Sequence, residues 1–207
     1  MSEDIFLKGE DRTGSYVAFS LANCCMPALL KSKPSNLVCF RKCYIDSRVN
    51  FFKALIKECE GFGCNARVLC ECEKAIYIII YDKQMLLEVI QNNIENPLLA
   101  LNGYGSGCPY LHKALTRLGE RYGSYRKCRE SGQNEDFPHE IGIMLGYPVT
   151  DVEEYIKNNG ENYVMCGYWK VYHNAEEAIR VFDRFTKIRK EAMELFYAGR
   201  PLKEMIS

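Results

Sequence analysis

The chain lacks an excess of either charge: 27 lysines and arginines are balanced by 27 aspartates and glutamates over 207 residues. A formally neutral protein has no global field with which to gather phosphates, so electrostatics argues against nucleic acid as a partner, local patches aside. Long apolar runs are missing as well. The longest, AIYIIIY at residues 75–81, is far shorter than the ~20 residues a helix needs to cross a bilayer. The first fifteen residues, MSEDIFLKGEDRTGS, are acidic and polar, without the basic start and apolar core of a secretory signal. These absences predict a cytoplasmic protein with no membrane partner. There is no internal repeat and no low-complexity segment.

Cysteine is abundant, but its useful spacings are absent. Eleven cysteines are an odd number, and without a secretory signal they argue against a disulfide framework. No pair has C-x-x-C spacing, so zinc-ribbon and thioredoxin signatures are missing. Most of the thiols are expected to be small buried hydrophobes in a reducing or anaerobic cytosol. The glycine-rich GYGSGC at residues 103–108 is neither G-x-G-x-x-G after a strand nor part of a P-loop, because no G-K-[ST] follows. A flexible turn is the simpler reading; an anion cradle of backbone N–H groups is the other.

What is present reads as a folded domain: 47% of residues are hydrophobic and 26% charged. Residues 1–13 read as a flexible leader and 14–207 as one α+β domain, with a weak sub-boundary at 123–136. A first helix is expected over 16–24, then a loop, CCMPALLKSKPSN, bracketed by Pro27 and Pro34. NLVCF reads as a strand. Asp46 or Ser47 can cap the helix that carries Phe51, Phe52, Leu55 and Ile56 at helical spacing. ARVLCEC and KAIYIIIYD suggest a hairpin broken around Glu73, the second run central in its sheet because it is apolar on both faces. KQMLLEVIQNN is a helix, and Pro109 suits the first position of another, PYLHKALTRLGERYG. SYRKCRESGQNED reads as an exposed loop. NYVMCGYWKVYH reads as a last strand, ending where Asn174 caps a long final helix with an apolar stripe from Ala178 to Leu195. The sum is a small, mostly antiparallel sheet with flanking helices.

Between the polar loop and the last strand, EIGIMLGYPVTDVEEYI has helix-turn-helix spacing. Gly142 stands where two helices would cross, Gly146 in the turn, and Val152 and Ile156 inside the second helix. DNA readout needs cations on that helix, yet its first turns carry Asp151, Glu153 and Glu154, and the first cation is Lys157. A helix pair that only packs is the favoured reading.

Residues 137–172, FPHEIGIMLGYPVTDVEEYIKNNGENYVMCGYWKVY, resemble a bacterial family known as domain of unknown function 3793. Its members carry a close variant of FPHEIGxFLGYPxEDVxxFIxxxG, then a CxGxWKVY-like strand. The family's HCxPTLAGxKxANLF is similar to CCMPALLKSKPSNLV at residues 24–38, and AGRPLKEM looks like its closing segment. The resemblance covers nearly all of the chain from about Tyr16. It implies a single-domain cytosolic protein, mostly of anaerobic bacteria, associated with flavodoxin-type and iron-responsive genes, and so a redox partner protein; it implies no particular reaction. Cys25, Pro27, Lys33 and Asn36 match the first motif. Phe137, Pro138, His139, Glu140, Gly142, Gly146, Tyr147 and Pro148 match the second, and Gly167, Trp169, Lys170 and Tyr172 the third, with Cys166 close to its cysteine. The family's histidine before the cysteine is Cys24 here, and its threonine and glycine are Ala28 and Lys31, so chemistry that relied on that histidine would be altered or lost.

The candidate catalytic residues are Cys25, His139 and Glu140. Cys25 is a packed thiol or a nucleophile that needs a nearby cation such as Lys33, or a dyad with His139. His139 is either a helix-start residue bonded to neighbouring backbone or a general base, proton donor or axial ligand. Glu140 complements a helix dipole or joins the chemistry. The candidate ligand-binding residues are Lys33, Asn36, Trp169, Lys170 and Tyr172, through stacking and acid pairing; strand alternation would put Tyr168, Lys170 and Tyr172 on one face and Trp169 on the other. Haem or metal ligation by Cys24, Cys25, His139 and Cys166 is a further reading, which no recognised metal spacing supports. The leading expectation is one pocket for a small molecule or cofactor built from these segments; the alternative is an interaction or regulatory adaptor.

Overall fold

The computed structural model describes residues 11–104 and 111–206. In chain order, α1 (Arg12–Ser20) passes through a π turn at Leu21–Cys25 into α2 (Met26–Leu29), and β1 (Ser35–Arg41) leads to α3 (Arg48–Gly61). β2 (Asn65–Glu71) and β3 (Ala75–Tyr81) are followed by α4 (Lys83–Asn92), α5 (Pro97–Leu99) and α6 (Leu111–Glu130). α7 (Ile141–Met144), α8 (Val149–Lys157), the two-residue strands β4 (Met165–Cys166) and β5 (Lys170–Val171), and α9 (Ala175–Tyr197) complete the order, before a last 3-10 turn at Leu202–Ile206. The fold is mixed α+β, as expected.

β3 is apolar on both faces because it is the middle strand, paired antiparallel with β1 and β2 in the order β1-β3-β2. Alternation sends Ile76, Ile78 and Ile80 to one face, where they pack with Val38, Phe40, Phe51 and Leu55 and with residues of α1, α2 and the end of α9. Tyr77, Ile79 and Tyr81 go to the other face, against α4, α6, α7 and α8. A small third cluster joins Val171, Ala178 and Phe182 where the β4–β5 hairpin meets α9. Of the two candidate caps for α3, Ser47 is the one used, its hydroxyl accepting from Asn50 N at 3.3 Å; Asp82 caps α4.

Several local expectations differ from the structure. Asp11 caps α1 through Gly14 N at 2.8 Å and Thr13 is buried, so residues 11–13 belong to the fold and not to a leader; residues 1–10 lie outside the described residues. Pro27 does not open a loop. The π turn before it is one residue wider than an α turn, which relieves the clash and the missing N–H of a helical proline.

α6 does not stop at Gly123 but runs to Glu130, so much of the predicted exposed loop is helix. Its glycines are close-approach positions: a Cβ at Gly119 would lie 3.1 Å from Leu69 O. Beyond them, Arg126 stacks 4.7 Å over the Tyr77 ring and holds the last turns to the sheet. Pro109 and residues 105–108 of the glycine-rich segment lie outside the described residues.

The predicted last strand is a hairpin. It turns at Gly167–Tyr168–Trp169, with Gly167 N donating to Trp169 O at 3.0 Å, so one continuous alternation does not hold. Asn174 occupies the N-cap position of α9 with φ of 49°, but its side chain does not cap.

Candidate functional site

The site is built on the α7–α8 pair. Gly142 lies at the helix crossing, where a Cβ would come 2.9 Å from Val152 Cγ2. Gly146 makes the turn with φ of 79° and sits against Pro34, where a Cβ would meet Cδ at 2.6 Å. Ile156, expected inside, is exposed instead. Asp151, expected as a surface charge, is buried. Its carboxylate accepts from Trp169 Nε1 at 2.8 Å and from the backbone N–H groups of Tyr172 and His173 at 3.0 Å each. These charge-assisted bonds pin the hairpin onto α8.

Between the helix pair and the hairpin lies a cavity of about 370 Å³, walled by Phe137, His139, Tyr147, Tyr155, Trp169 and Lys170. The His139 ring is wedged between Phe137 and Tyr155, at centroid distances of 5.2 and 5.5 Å. Burial lowers its pKa below the ordinary 6.5, against the opposing pull of Glu140 and Asp136. The imidazole is therefore neutral near pH 7. Desolvation is the largest cause of this shift. Among the described residues no hydrogen-bond partner reaches either ring nitrogen, so the expected side-chain bond to neighbouring backbone is absent. Trp169 stacks on Tyr147 at 5.3 Å and meets Phe182 edge-on at 4.5 Å. Lys170 Nζ, at the rim, donates to Gly160 O at 2.6 Å and lies 4.7 Å over the Tyr163 ring. Cys166, which is exposed, also borders the cavity.

The other predicted residues are elsewhere. Glu140 follows His139 but turns away from the cavity and is wholly buried. It accepts from Arg121 Nε at 2.5 Å and from the Tyr104 hydroxyl at 3.2 Å, and so ties α7 to α6 and its approach instead of serving a helix dipole. Cys25, Asn36 and Lys33 do meet: Asn36 Nδ2 donates to Cys25 Sγ at 3.8 Å, and Lys33 Nζ donates to Asn36 Oδ1 at 3.2 Å. Cys25 is fully buried, and burial pushes its thiol pKa well above normal, with Lys33 offsetting only part. It is held as a thiol, not a thiolate. Cys25 packs in the core on one side of the sheet and does not line the His139 cavity, so the structure does not join the two as a dyad. The Tyr172 hydroxyl is buried without a partner among the described residues, and Tyr172 does not line that cavity either. Among the described residues no group of three or more His, Cys, Asp or Glu is placed to hold a metal ion.

The residues that sequence reasoning missed are Asp151, Phe137 and Tyr155. They come from a helix start, a loop and a helix end, so no spacing announces them. Asp151 alone had a signal, an acidic first-turn residue on a helix whose exposed face already carried Glu153 and Glu154.

The protein is thus an α+β domain in which a helix pair and a pinned hairpin enclose an aromatic cavity. The chain belongs to the family described as protein of unknown function, DUF3793, whose model matches residues 21–206. That span includes every residue of the cavity. Neither the curated proteins nor the solved structures contain a match to the chain.

Proposed function

We propose that the protein binds a small planar molecule with an apolar body and one acidic group in the His139–Trp169–Lys170 cavity. The observation that carries this reading is an unpartnered, neutral imidazole set in aromatic walls, with one cation at the rim. The cavity volume falls in the range of small-molecule sites, which are mostly apolar with a few placed polar groups. Lys170 would hold the acid with His139 beside it, the imidazole donating to or accepting from the ligand. Asp151 is committed to the hairpin, so it does not repel an anion freely.

Trp169 is the only tryptophan in the chain, so its emission reports this site. Titration with naphthalene-2-carboxylate should change that emission saturably, with one site per chain by calorimetry. Lys170→Glu should weaken binding about tenfold, the scale of one charge-assisted hydrogen bond. Naphthalene-2-carboxamide, which lacks the charge, should bind wild type and Lys170→Glu alike. Absence of saturable binding, or indifference to Lys170→Glu, would overturn the reading.

A second reading, docking of a protein partner such as a redox protein, is favoured by Tyr163, Val164 and Ile156, which are apolar, exposed and on the segments around the hairpin. Val164→Asp should abolish partner capture in that case and leave naphthalene-2-carboxylate binding unchanged.

A further inference from the structure

On the far side of Trp169 and Asp151 is a second cavity, of about 270 Å³, bounded by Lys33, Pro148, His173, Glu177, Arg184 and Phe185. The ligand proposed for the first cavity makes no use of it. Lys33 is only 6% exposed, yet among the described residues no carboxylate pairs with it. Its Nζ has one hydrogen-bond acceptor, Asn36 Oδ1, and lies over the rings of Tyr147 and Phe185 at 5.2 and 5.8 Å. Beyond Asn36 the Cys25 thiol is protonated and offers no charge to hold an ammonium. A buried lysine is ordinarily paired. Burial without a counter-ion lowers this one from 10.5 to about 8. At any pH below that, its free-amine fraction exceeds that of an ordinary lysine by on the order of 100-fold.

The same cavity has a cation to spare at its mouth. Arg184 is exposed and has no carboxylate partner among the described residues, whereas the neighbouring Glu177 is engaged by Arg180 at 3.5 Å.

The geometry points to Lys33 as the amine of a Schiff-base site for a small oxo acid, with Arg184 holding the acid group. The Nζ lone pair attacks the carbonyl carbon, the C=O π electrons pass to oxygen, and a proton moves from nitrogen to that oxygen to give a carbinolamine. Loss of the hydroxyl with a second proton leaves the imine, so amine plus carbonyl gives imine plus water, with no oxidant or reductant. His173, on the cavity wall, is the group suited to carry those protons. Asn36 Oδ1 accepts one N–H of the amine and so aims the lone pair away from itself during the attack; that hydrogen bond ends when the nitrogen gives up its last proton to form the imine.

The test is reductive trapping with glyoxylate and sodium cyanoborohydride near pH 8, using less reagent than protein and reading each lysine by peptide mass spectrometry. Lys33 should be labelled at least about tenfold faster than the median lysine in the folded chain, and that preference should vanish in urea. Arg184→Gln should slow labelling by glyoxylate while leaving labelling by uncharged acetaldehyde unchanged. Labelling of Lys33 no faster than the surface lysines overturns the amine assignment, and equal glyoxylate rates in wild type and Arg184→Gln overturn the acid-binding role. The main arm uses the wild-type chain, so it does not depend on a variant folding.

Discussion

Glu140 and Lys33 are both ionisable side chains withdrawn from water, and their surroundings could hardly differ more. Glu140 is wholly buried but meets a guanidinium and a phenol, which satisfy both of its oxygens. Lys33 meets one neutral amide and two ring faces. The first arrangement keeps a charge where it is and joins two helices. The second discourages the charge and leaves an amine. Burial alone therefore does not mark a functional group; burial without compensation does.

The hardest way to break that contrast is to strip Glu140 of its partner. Arg121→Met leaves a buried carboxylate uncompensated and should cost about 3–5 kcal/mol in urea denaturation. The double variant Arg121→Met, Glu140→Leu should recover most of that loss, since it removes both charges. A single-variant cost below ~1 kcal/mol would place this pair with ordinary surface ion pairs and remove the contrast.

Lys33 should behave in the opposite way. Its folded pKa lies below its unfolded one, so between about 8 and 10.5 the unfolded chain binds more protons and stability rises with pH. The contribution is fully present above 10.5 and lost as pH falls through 8; its size is about 3 kcal/mol. Cysteines and tyrosines with raised pKa values push the other way in this range. The informative quantity is thus the difference between wild type and Lys33→Met, which should narrow by that amount from pH 8 to pH 10.5. A difference independent of pH would mean that Lys33 is compensated after all.

How far the residues themselves announced this arrangement depends on whether the signal was local. β3 was readable as the middle strand because its apolar run fills both faces, and the α7–α8 pair because Gly142 and Gly146 sit at crossing and turn. The last turns of α6 were not readable. Gly119 and Gly123 look like breakers until Leu69 and Cys70, about fifty residues earlier, are brought against them. Of the candidate site, His139, Trp169 and Lys170 do share a cavity, while buried Cys25 and Lys33 meet half-buried Asn36 in a separate trio. Glu140 parted from His139 because consecutive residues entering a tight helical turn point in different directions.

Asp151 allows a sharper version of the same comparison, since it is a buried carboxylate satisfied by N–H groups and no cation. In Asp151→Asn the amide oxygen can serve Tyr172 and His173, but the amide nitrogen then faces Trp169 Nε1, donor against donor. The cost should be about 1–3 kcal/mol, smaller than for Arg121→Met because no buried charge is left unpaired. Trp169 emission should shift to longer wavelength as the hairpin loosens. An unchanged emission maximum would show that the hairpin is held by Phe182 packing instead.

The smallest effect belongs to His139, and its sign distinguishes it from the paired groups. Its pKa is lowered in the fold, so above 6.5 both folded and unfolded chains hold it neutral and it contributes nothing to pH dependence. As pH falls below 6.5 the unfolded chain takes up the proton first. Stability then drops, and the drop ends once pH has passed the folded-state value. In His139→Gln this loss should be absent while stability at neutral pH is little changed, since no hydrogen bond is removed. An anion bound beside the imidazole would favour its protonated form. Naphthalene-2-carboxylate should therefore bind more tightly to wild type as pH is lowered through this window and show no such trend with His139→Gln. A wild-type affinity that is flat with pH would place the acid group away from His139 and leave Lys170 as its sole anchor.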